Sequence, residues 1–384
     1  MTDFKMLEDQ FGPGCYPMRD VVITRGQGSV VYDENGREYI DCVAGQGVVN
    51  VGHCNPYVVQ EIKQQAETLI TCSGTFYNDT RSLLMEKINE ITPPELSNIF
   101  LCNSGAEAVE AALKMSRVAS GKTDIIAAMR AFHGRTFGAL SATFNKKYKK
   151  EFEPLVPGFD HVPYNNFEKL AETVTDKTAA VILEMIQGEG GVNVADENYV
   201  RQVRQLCNKK NILLIIDEVQ TGFCRTGKMF AFEHYGVVPD ILCLAKAMAG
   251  GLPIGAIVFP EKLKFAQGNH GSTFGGNPIS AAAALSAISY MQDTKLAEQA
   301  AEKGAYMMQK LQAINSDKIR QVRGKGLLIG IELKEKVQPY ILAMMDEGVL
   351  TLPSGSTVLR LLPTLVISCE QMDTVVERIE KVLQ

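Results

Sequence analysis

No apolar run in this sequence is long enough to form a membrane helix. The densest strand-like stretch, 212–216, falls far short of the roughly 18 residues a crossing needs. A signal-peptide pattern is missing as well, since Asp3, Lys5, Glu8 and Asp9 stand among few apolar neighbours. The nine cysteines are scattered from Cys15 to Cys369, none within four residues of another, which excludes zinc-ribbon and CxxC redox spacings. A reduced, cytoplasmic compartment is the expectation. Five histidines without an HxxxH pair leave no metal site to expect. There is no basic excess either: 39 Lys+Arg against 44 Asp+Glu leave a net charge of −5, which excludes nucleic acid as a bulk partner. Repeats, low-complexity tracts and flexible linkers are not found.

What is present is a chain of 384 residues, enough for two or three domains at about 150 residues each. Its 46% apolar and 22% charged content is that of a soluble globular protein. Asp33-Glu-Asn-Gly36 between two apolar runs predicts a hairpin with a tight turn. Asn55-Pro56 starts a helix whose stripe is Val59, Ile62, Ala66, Leu69 and Ile70. Short apolar runs follow at 99–102, 125–129, 180–183, 212–216, 241–244 and 254–259, with helical patterns such as 106–118 and 199–208 between them. Buried strands alternating with amphipathic helices indicate an α/β fold with a mostly parallel sheet. Beyond residue 277 the texture changes to helices at 281–291 and 296–314, strands at 327–333 and 358–361, and a closing helix at 372–383. The expected organisation is an N-terminal arm and hairpin at 1–54, packing with a small domain. A large domain then spans 55–276, and an interdomain helix with a small C-terminal α+β domain fills 277–384.

Three features carry chemistry. Asn103-Ser-Gly-Ala-Glu107 lies between a strand end and a helix start, where free N–H groups and the helix dipole can hold a phosphate. Taken alone, it also reads as an ordinary serine-capped helix. Asp217 ends a buried strand at the sheet edge where ligands bind, and can hold a proton on a ring nitrogen, although a turn cap fits it too. Lys246 follows another strand among small residues. There burial can lower its pKa enough for Schiff-base chemistry, while a solvated surface lysine is the plain alternative.

A phosphate cradle, a strand-end carboxylate and such a lysine together are what pyridoxal phosphate needs. The sequence resembles the class-III pyridoxal-phosphate aminotransferases of fold type I, in particular the acetylornithine aminotransferase group. The likeness rests on Asn103-Ser-Gly-Ala-Glu-Ala108, Ala131-Phe-His-Gly-Arg-Thr136 and Ile186-Gln-Gly-Glu-Gly-Gly191. Asp217-Glu-Val-Gln-Thr-Gly222, Arg225-Thr-Gly227 and Gly271-Ser-Thr-Phe-Gly-Gly-Asn-Pro278 complete it, in the family's order.

The resemblance implies that Lys246 binds the cofactor aldehyde and shuttles the proton, with Asp217 keeping the ring nitrogen protonated. It places Ser104, Gly105 and Ala106 at the phosphate, Phe132 on the ring face, Gln220 near the ring hydroxyl, and Glu218 and Val219 in the same cofactor-binding segment. Thr273 would reach the phosphate from the neighbouring subunit, so a homodimer with shared active sites is implied. Arg135 and Ser272 would contact substrate, and Arg360 would take the α-carboxylate of glutamate. Glu189 would be a gate that pairs with Arg360 when the other substrate presents a terminal amine. Without the resemblance, Glu189 and Arg360 read as surface charges.

Glu184-Met185 departs from the family's Glu-Pro, a change expected to affect only local backbone. Asn145-Lys-Lys-Tyr-Lys-Lys150 adds a basic cluster close to Arg135. It is either a solvated loop or a docking patch for an acidic partner. The cluster, the opening Phe4-Lys-Met-Leu-Glu-Asp9, and Thr71-Cys72 with Phe76-Tyr-Asn78 look like the branch that acts on lysine or ornithine carried by the small acidic protein LysW. The implied activity moves the terminal amine of an α-amine-blocked ornithine or lysine, acetylated or carrier-linked, to 2-oxoglutarate in lysine or arginine biosynthesis. Ornithine or 4-aminobutyrate aminotransferase is the alternative, with a semialdehyde aminomutase on the same scaffold as a further rival. A pyridoxal-phosphate-binding regulator without turnover is the reading from a different class.

Overall fold

The computed structural model describes residues 2–384. After a short exposed helix, Phe4–Phe11, capped by the Asp3 side chain, three strands form the entry sheet: β1 (Ile23–Gln27), β2 (Val30–Asp33) and β3 (Glu38–Asp41). The expected hairpin is β2–β3, paired Val30 to Ile40. Its turn closes at Gly36, where φ of +82° requires glycine, and Asp33 accepts the Asn35 and Arg37 N–H groups at 2.9 Å each. β1 has no period-2 apolar signal and was not foreseen. β3 also pairs in parallel with Val349–Leu350, which ties the hairpin to the C-terminal part of the chain.

Seven strands make the central sheet: β4 (Asn98–Cys102), β5 (Asp124–Ala128), β6 (Phe159–Val162), β7 (Thr178–Leu183), β8 (Leu213–Asp217), β9 (Ile241–Leu244) and β10 (Gly255–Phe259). Their order is β4-β10-β9-β8-β7-β5-β6. β10 runs antiparallel to both neighbours, and the other pairings are parallel. β4 therefore points the same way as β8 and β9. The consequence is functional: the ends of β4, β8 and β9 open on one edge of the sheet, where such folds bind ligands. β7, β9 and β10 are buried throughout, as their unbroken apolar runs require.

The C-terminal sheet is antiparallel, in the order β11-β12-β14-β13, from β11 (Ile319–Lys325), β12 (Leu328–Leu333), β13 (Leu352–Ser354) and β14 (Val358–Leu361). β11 and β13 escape the hydrophobic pattern, because Ile-Arg-Gln-Val-Arg-Gly-Lys holds only two apolar residues and β13 contains a proline. Helix Gln338–Asp346 was likewise unforeseen. Helix ends also differ from expectation. The closing helix starts at Cys369 rather than 372, because Ser368 and Gln371 form a reciprocal capping box. The helix expected over 281–291 spans Pro278–Asp293, and the one expected over 296–314 stops at Gln312. Helix Pro56–Thr68 starts at the Asn55 cap as expected but ends before Leu69 and Ile70, which are 44% and 55% exposed.

Arg225 joins these parts. It is fully buried with no acidic side chain in salt-bridge contact among the described residues, and burial lowers its pKa to about 9. Its guanidinium donates to the Leu327 carbonyl at 3.1 Å, to the Pro363 carbonyl at 2.6 Å and to Asn50 Oδ1. Asn50 in turn donates to the Phe223 carbonyl at 2.6 Å. The entry segment and the C-terminal sheet thus meet the large domain at one side chain. Replacing Arg225 by methionine strands several buried acceptors, each worth about 1–3 kcal/mol. The expected loss is about 3 kcal/mol or more, read as a lower urea midpoint.

Candidate functional site

A cavity of about 260 Å³ opens at the edge where β8 and β9 end. Its walls bring together most of the predicted residues: Gly105, Ala106, Phe132, Arg135, Glu189, Asp217, Val219, Gln220 and Lys246.

At the anion end, helix Gly105–Ser120 begins with Ser104 as N-cap, whose hydroxyl accepts the Glu107 N–H at 3.2 Å. The first intrahelical bond runs from Ala108 N–H to the Ser104 carbonyl, so the Gly105 and Ala106 amides precede it and face the cavity. Position 105 needs glycine for space, because a Cβ there would lie 2.6 Å from Val219 Cγ1. Ser104 itself is spent on the cap and is absent from the cavity wall.

Asp217 is buried, and each of its oxygens has one partner with acceptor capacity to spare. Its Oδ1 accepts the Val219 N–H at 3.0 Å, and its Oδ2 meets His133 Nδ1 at 2.7 Å. Burial alone would lower the His133 pKa, but the bond to Asp217 and its charge outweigh that and raise it. His133 Nε2 is buried without a partner among the described residues. Lys246 stands just past β9, at a left-handed φ of +44° that is costly for a side chain outside glycine. Burial lowers its pKa, with the Glu189 charge opposing. A lowered lysine pKa raises the fraction of free amine, the form that attacks an aldehyde. A helix N-terminus for an anion, a buried carboxylate for a ring nitrogen and a depressed amine for an aldehyde fit pyridoxal phosphate.

The substrate side centres on Arg360, only 2% exposed, so the surface-charge reading is corrected. Its Nη1 pairs with Glu189 Oε1 at 2.6 Å and donates to Gln220 Oε1 at 3.2 Å. Gln220 is thereby tied to the arginine. At the mouth, the exposed Arg135 lies over the Tyr148 ring at 3.7 Å and over Phe132 at 5.5 Å. The basic cluster therefore reaches the site through Tyr148. Lys149 leaves that cluster, since its Nζ donates to the Ser141 and Thr143 carbonyls at 3.0 and 2.9 Å. Lys146, Lys147 and Lys150 remain exposed.

Besides Ser104, four expected residues are absent from the cavity wall: Arg360, which stands behind Glu189 and Gln220, and Glu218, Ser272 and Thr273. Glu218 turns from it: its carboxylate accepts the Thr221 hydroxyl and the Phe232 N–H, the latter at 2.8 Å, and burial pushes its pKa up to about 7. The physical reason is strand alternation, which aims neighbours Asp217 and Glu218 in opposite directions. Ser272 Oγ accepts from Asn103 Nδ2 at 3.0 Å and from the Gly275 N–H at 3.1 Å, and Thr273 is exposed. Neither lines this chain's cavity.

His133, Gly134, Glu184, Ile186 and Thr221 line the cavity unforeseen. Glu184 had the same signal as Asp217, an acid just past a buried strand end. Its departure lies in the Met185 neighbour, while the carboxyl itself faces the site and accepts the Phe132 N–H at 3.1 Å. Burial raises its pKa to about 8, with the charge of His133 opposing.

Residues 13–383 match the family described as aminotransferase class-III. The [LysW]-aminoadipate semialdehyde transaminase of Deinococcus radiodurans is 50% identical, over 98% of this chain and 89% of that protein. The acetylornithine aminotransferase of Methanosarcina acetivorans is 47% identical over 95% and 92%. Among solved structures, the ornithine aminotransferase of Toxoplasma gondii superposes with a TM-score of 0.95 at 35% identity, covering 99% of this chain and 94% of that one.

Glu184 gives a pH signature. Its proton is held more tightly folded than unfolded, where the pKa is near 4.5. The stability it contributes is fully present below that value and is lost as pH rises toward about 8. Glu184→Gln should flatten the fall of the urea midpoint across this window, Glu218 contributing equally to both proteins. Parallel curves would show that Glu184 does not hold the proton.

Proposed function

The chain belongs to the class-III aminotransferases, and from that premise we propose that it moves the terminal amine of an ornithine- or lysine-like donor to 2-oxoglutarate in two half-reactions. It is a pyridoxal-phosphate enzyme. The observation that carries the reading is the Arg360–Glu189 pair at 2.6 Å, a buried carboxylate receptor already occupied by a carboxylate. When bound, the cofactor supplies an aldehyde for amines and a ring that takes up the electron pair of a breaking C–H bond.

In this reading Lys246 would hold the cofactor's aldehyde between turnovers and move the proton at the reacting carbon. Asp217, oriented by His133 and the Val219 amide, would keep a proton on its ring nitrogen. The Gly105 and Ala106 amides would hold its phosphate, with Phe132 and Val219 in the walls of the same cavity. Arg360 binds the α-carboxylate of glutamate once Glu189 leaves it, a like-for-like exchange of carboxylates. When a terminal amine occupies the site, Glu189 returns and covers the guanidinium. Arg135 contacts the distal part of the substrate.

Thr273 and Ser272 are assigned to the active site of a second copy, in a homodimer with shared sites. The exposure of Phe76 (68%) and Phe274 (60%) supports such a contact. Nine free cysteines fit a reducing, cytoplasmic setting, and among the described residues no helix is long and apolar enough to cross a membrane.

For the donor, free ornithine, the alternative in the sequence reading, has the stronger structural support through the Toxoplasma gondii enzyme. A blocked donor is the second reading. The names of the two sequence relatives favour it, and exposed Lys146, Lys147 and Lys150 beside Arg135 offer a dock for an acidic carrier. Parallel assays with ornithine, acetylornithine and carrier-linked lysine, each with 2-oxoglutarate, separate the two. Reversing the charge of those three lysines should raise KM for a carrier-linked donor severalfold and leave free donors unchanged. Equal effects reject docking. Glu189→Ala should slow the amine half-reaction about tenfold or more while sparing the glutamate one. Equal loss in both would reject the exchange.

A further inference from the structure

Glu189 sits in a turn, residues 188–191, that surrounds one acid with three glycines. The large domain leaves this turn no slack. A Cβ at Gly188 would lie 1.8 Å from Gln220 Oε1, and one at Gly190 would lie 2.6 Å from the Arg130 carbonyl oxygen. On its other side the turn is held by the C-terminal sheet. Ser354, 1% exposed, donates its hydroxyl to the Gly188 carbonyl and accepts the Gly191 N–H, both at 2.7 Å. A single side chain therefore brackets Glu189 from both ends of the turn. Arg323 adds a fork onto the Gly191 carbonyl, from Nε at 2.9 Å and Nη2 at 2.6 Å.

The bracket and the receptor share one structural element. Ser354 ends β13 and lies opposite Val358 of β14, while Leu352 lies opposite Arg360. The hydroxyl that holds the turn and the guanidinium that receives Glu189 thus ride on the same hairpin. Their spacing is set by ladder hydrogen bonds rather than by loop conformation.

We propose that Ser354 is the positioning residue of the carboxylate exchange. By tying Gly188 and Gly191 to the strand beside Arg360, it sets how readily Glu189 leaves the guanidinium, and so divides preference between terminal-amine and α-carboxylate substrates. The proposal rests on the exchange read above for Glu189 and Arg360. Removing the hydroxyl loosens the turn at the Gly188 carbonyl and the Gly191 N–H while Arg323 still holds the Gly191 carbonyl, which lowers the cost of Glu189 departure. Carboxylate ligands gain and amine donors lose, in the direction of Glu189→Ala but to a smaller extent.

The test uses holoenzymes of Ser354→Ala, Glu189→Ala and the double variant. Affinity for glutarate, an unreactive five-carbon dicarboxylate, is measured by calorimetry, and the two half-reactions by rapid mixing with ornithine or with glutamate. Ser354→Ala is expected to bind glutarate three- to tenfold tighter and to slow the ornithine half-reaction at least threefold. The glutamate half-reaction should change less than twofold, and the double variant should match Glu189→Ala. Equal slowing of both half-reactions, unchanged glutarate affinity, or a full Ser354→Ala effect on the Glu189→Ala background overturns the proposal. If Glu189→Ala alone slows both half-reactions alike, the exchange itself fails and Ser354 has nothing to position. Ser354→Cys, a weaker donor at the same place, is judged by the same criteria should Ser354→Ala not fold.

Discussion

Arg360 is buried to 2% exposure, and the active-site architecture follows from the carboxylate it is paired with. Glu189 meets it at 2.6 Å, on a turn rather than on a strand or helix. The arginine is held on β14 and backed by Gln220, so of the two partners the acid is the one placed to move. An exchange in which a substrate carboxylate replaces a protein carboxylate keeps the guanidinium paired throughout. That avoids the several kcal/mol that an unpaired buried arginine would cost. The C-terminal sheet thus contributes more than a cover for the cofactor domain, since it carries both the receptor and the contacts that restrain its plug.

The second organising element is the sheet edge. Because β4 runs with β8 and β9, three unrelated loops deliver an anion-binding helix start, a carboxylate and a lysine to one place. Burial depresses the Lys246 amine and lifts the Glu184 carboxyl to about 8, while the bond to Asp217 raises His133 against its burial. Arg225 performs a comparable task away from the chemistry, using backbone carbonyls in place of an acid to join the entry segment, the large domain and the C-terminal sheet.

The fold class and six of the seven central strands were legible because buried strands have an apolar signature that needs no partner to be seen; β6, the half-exposed edge strand Phe-Asp-His-Val, was not. Helix starts with side-chain caps were legible for the same local reason, as at Asn55. Strands β1, β11 and β13 were not, because half-exposed or proline-bearing strands owe their pairing to neighbours distant in sequence. In the site, Asp217 and Lys246 were visible at strand ends. Glu184, just past the end of β7, carries a similar signal, and only the fold turns its carboxyl into the cavity. His133 stood inside a quoted motif, but nothing local said that its ring would meet Asp217, 84 residues away.

The sequence by itself determined the α/β class and the cofactor chemistry, because these depend on residue types at short spacings along strand ends and helix starts, and its resemblance to a known family over six motifs in order implied the reaction. The tertiary structure decided which of those residues share a cavity. It turned Glu218 to the opposite side from Asp217, spent Ser104 on a helix cap, removed Lys149 from the basic cluster and seated Tyr148 under Arg135. It also converted Arg360 from an apparent surface charge into a buried receptor and set Ser354 across the Glu189 turn. The last two depend on contacts between segments far apart in the chain, from Arg360 to Gln220 and from Ser354 to Gly188 and Gly191, a relation that spacing along a sequence does not encode.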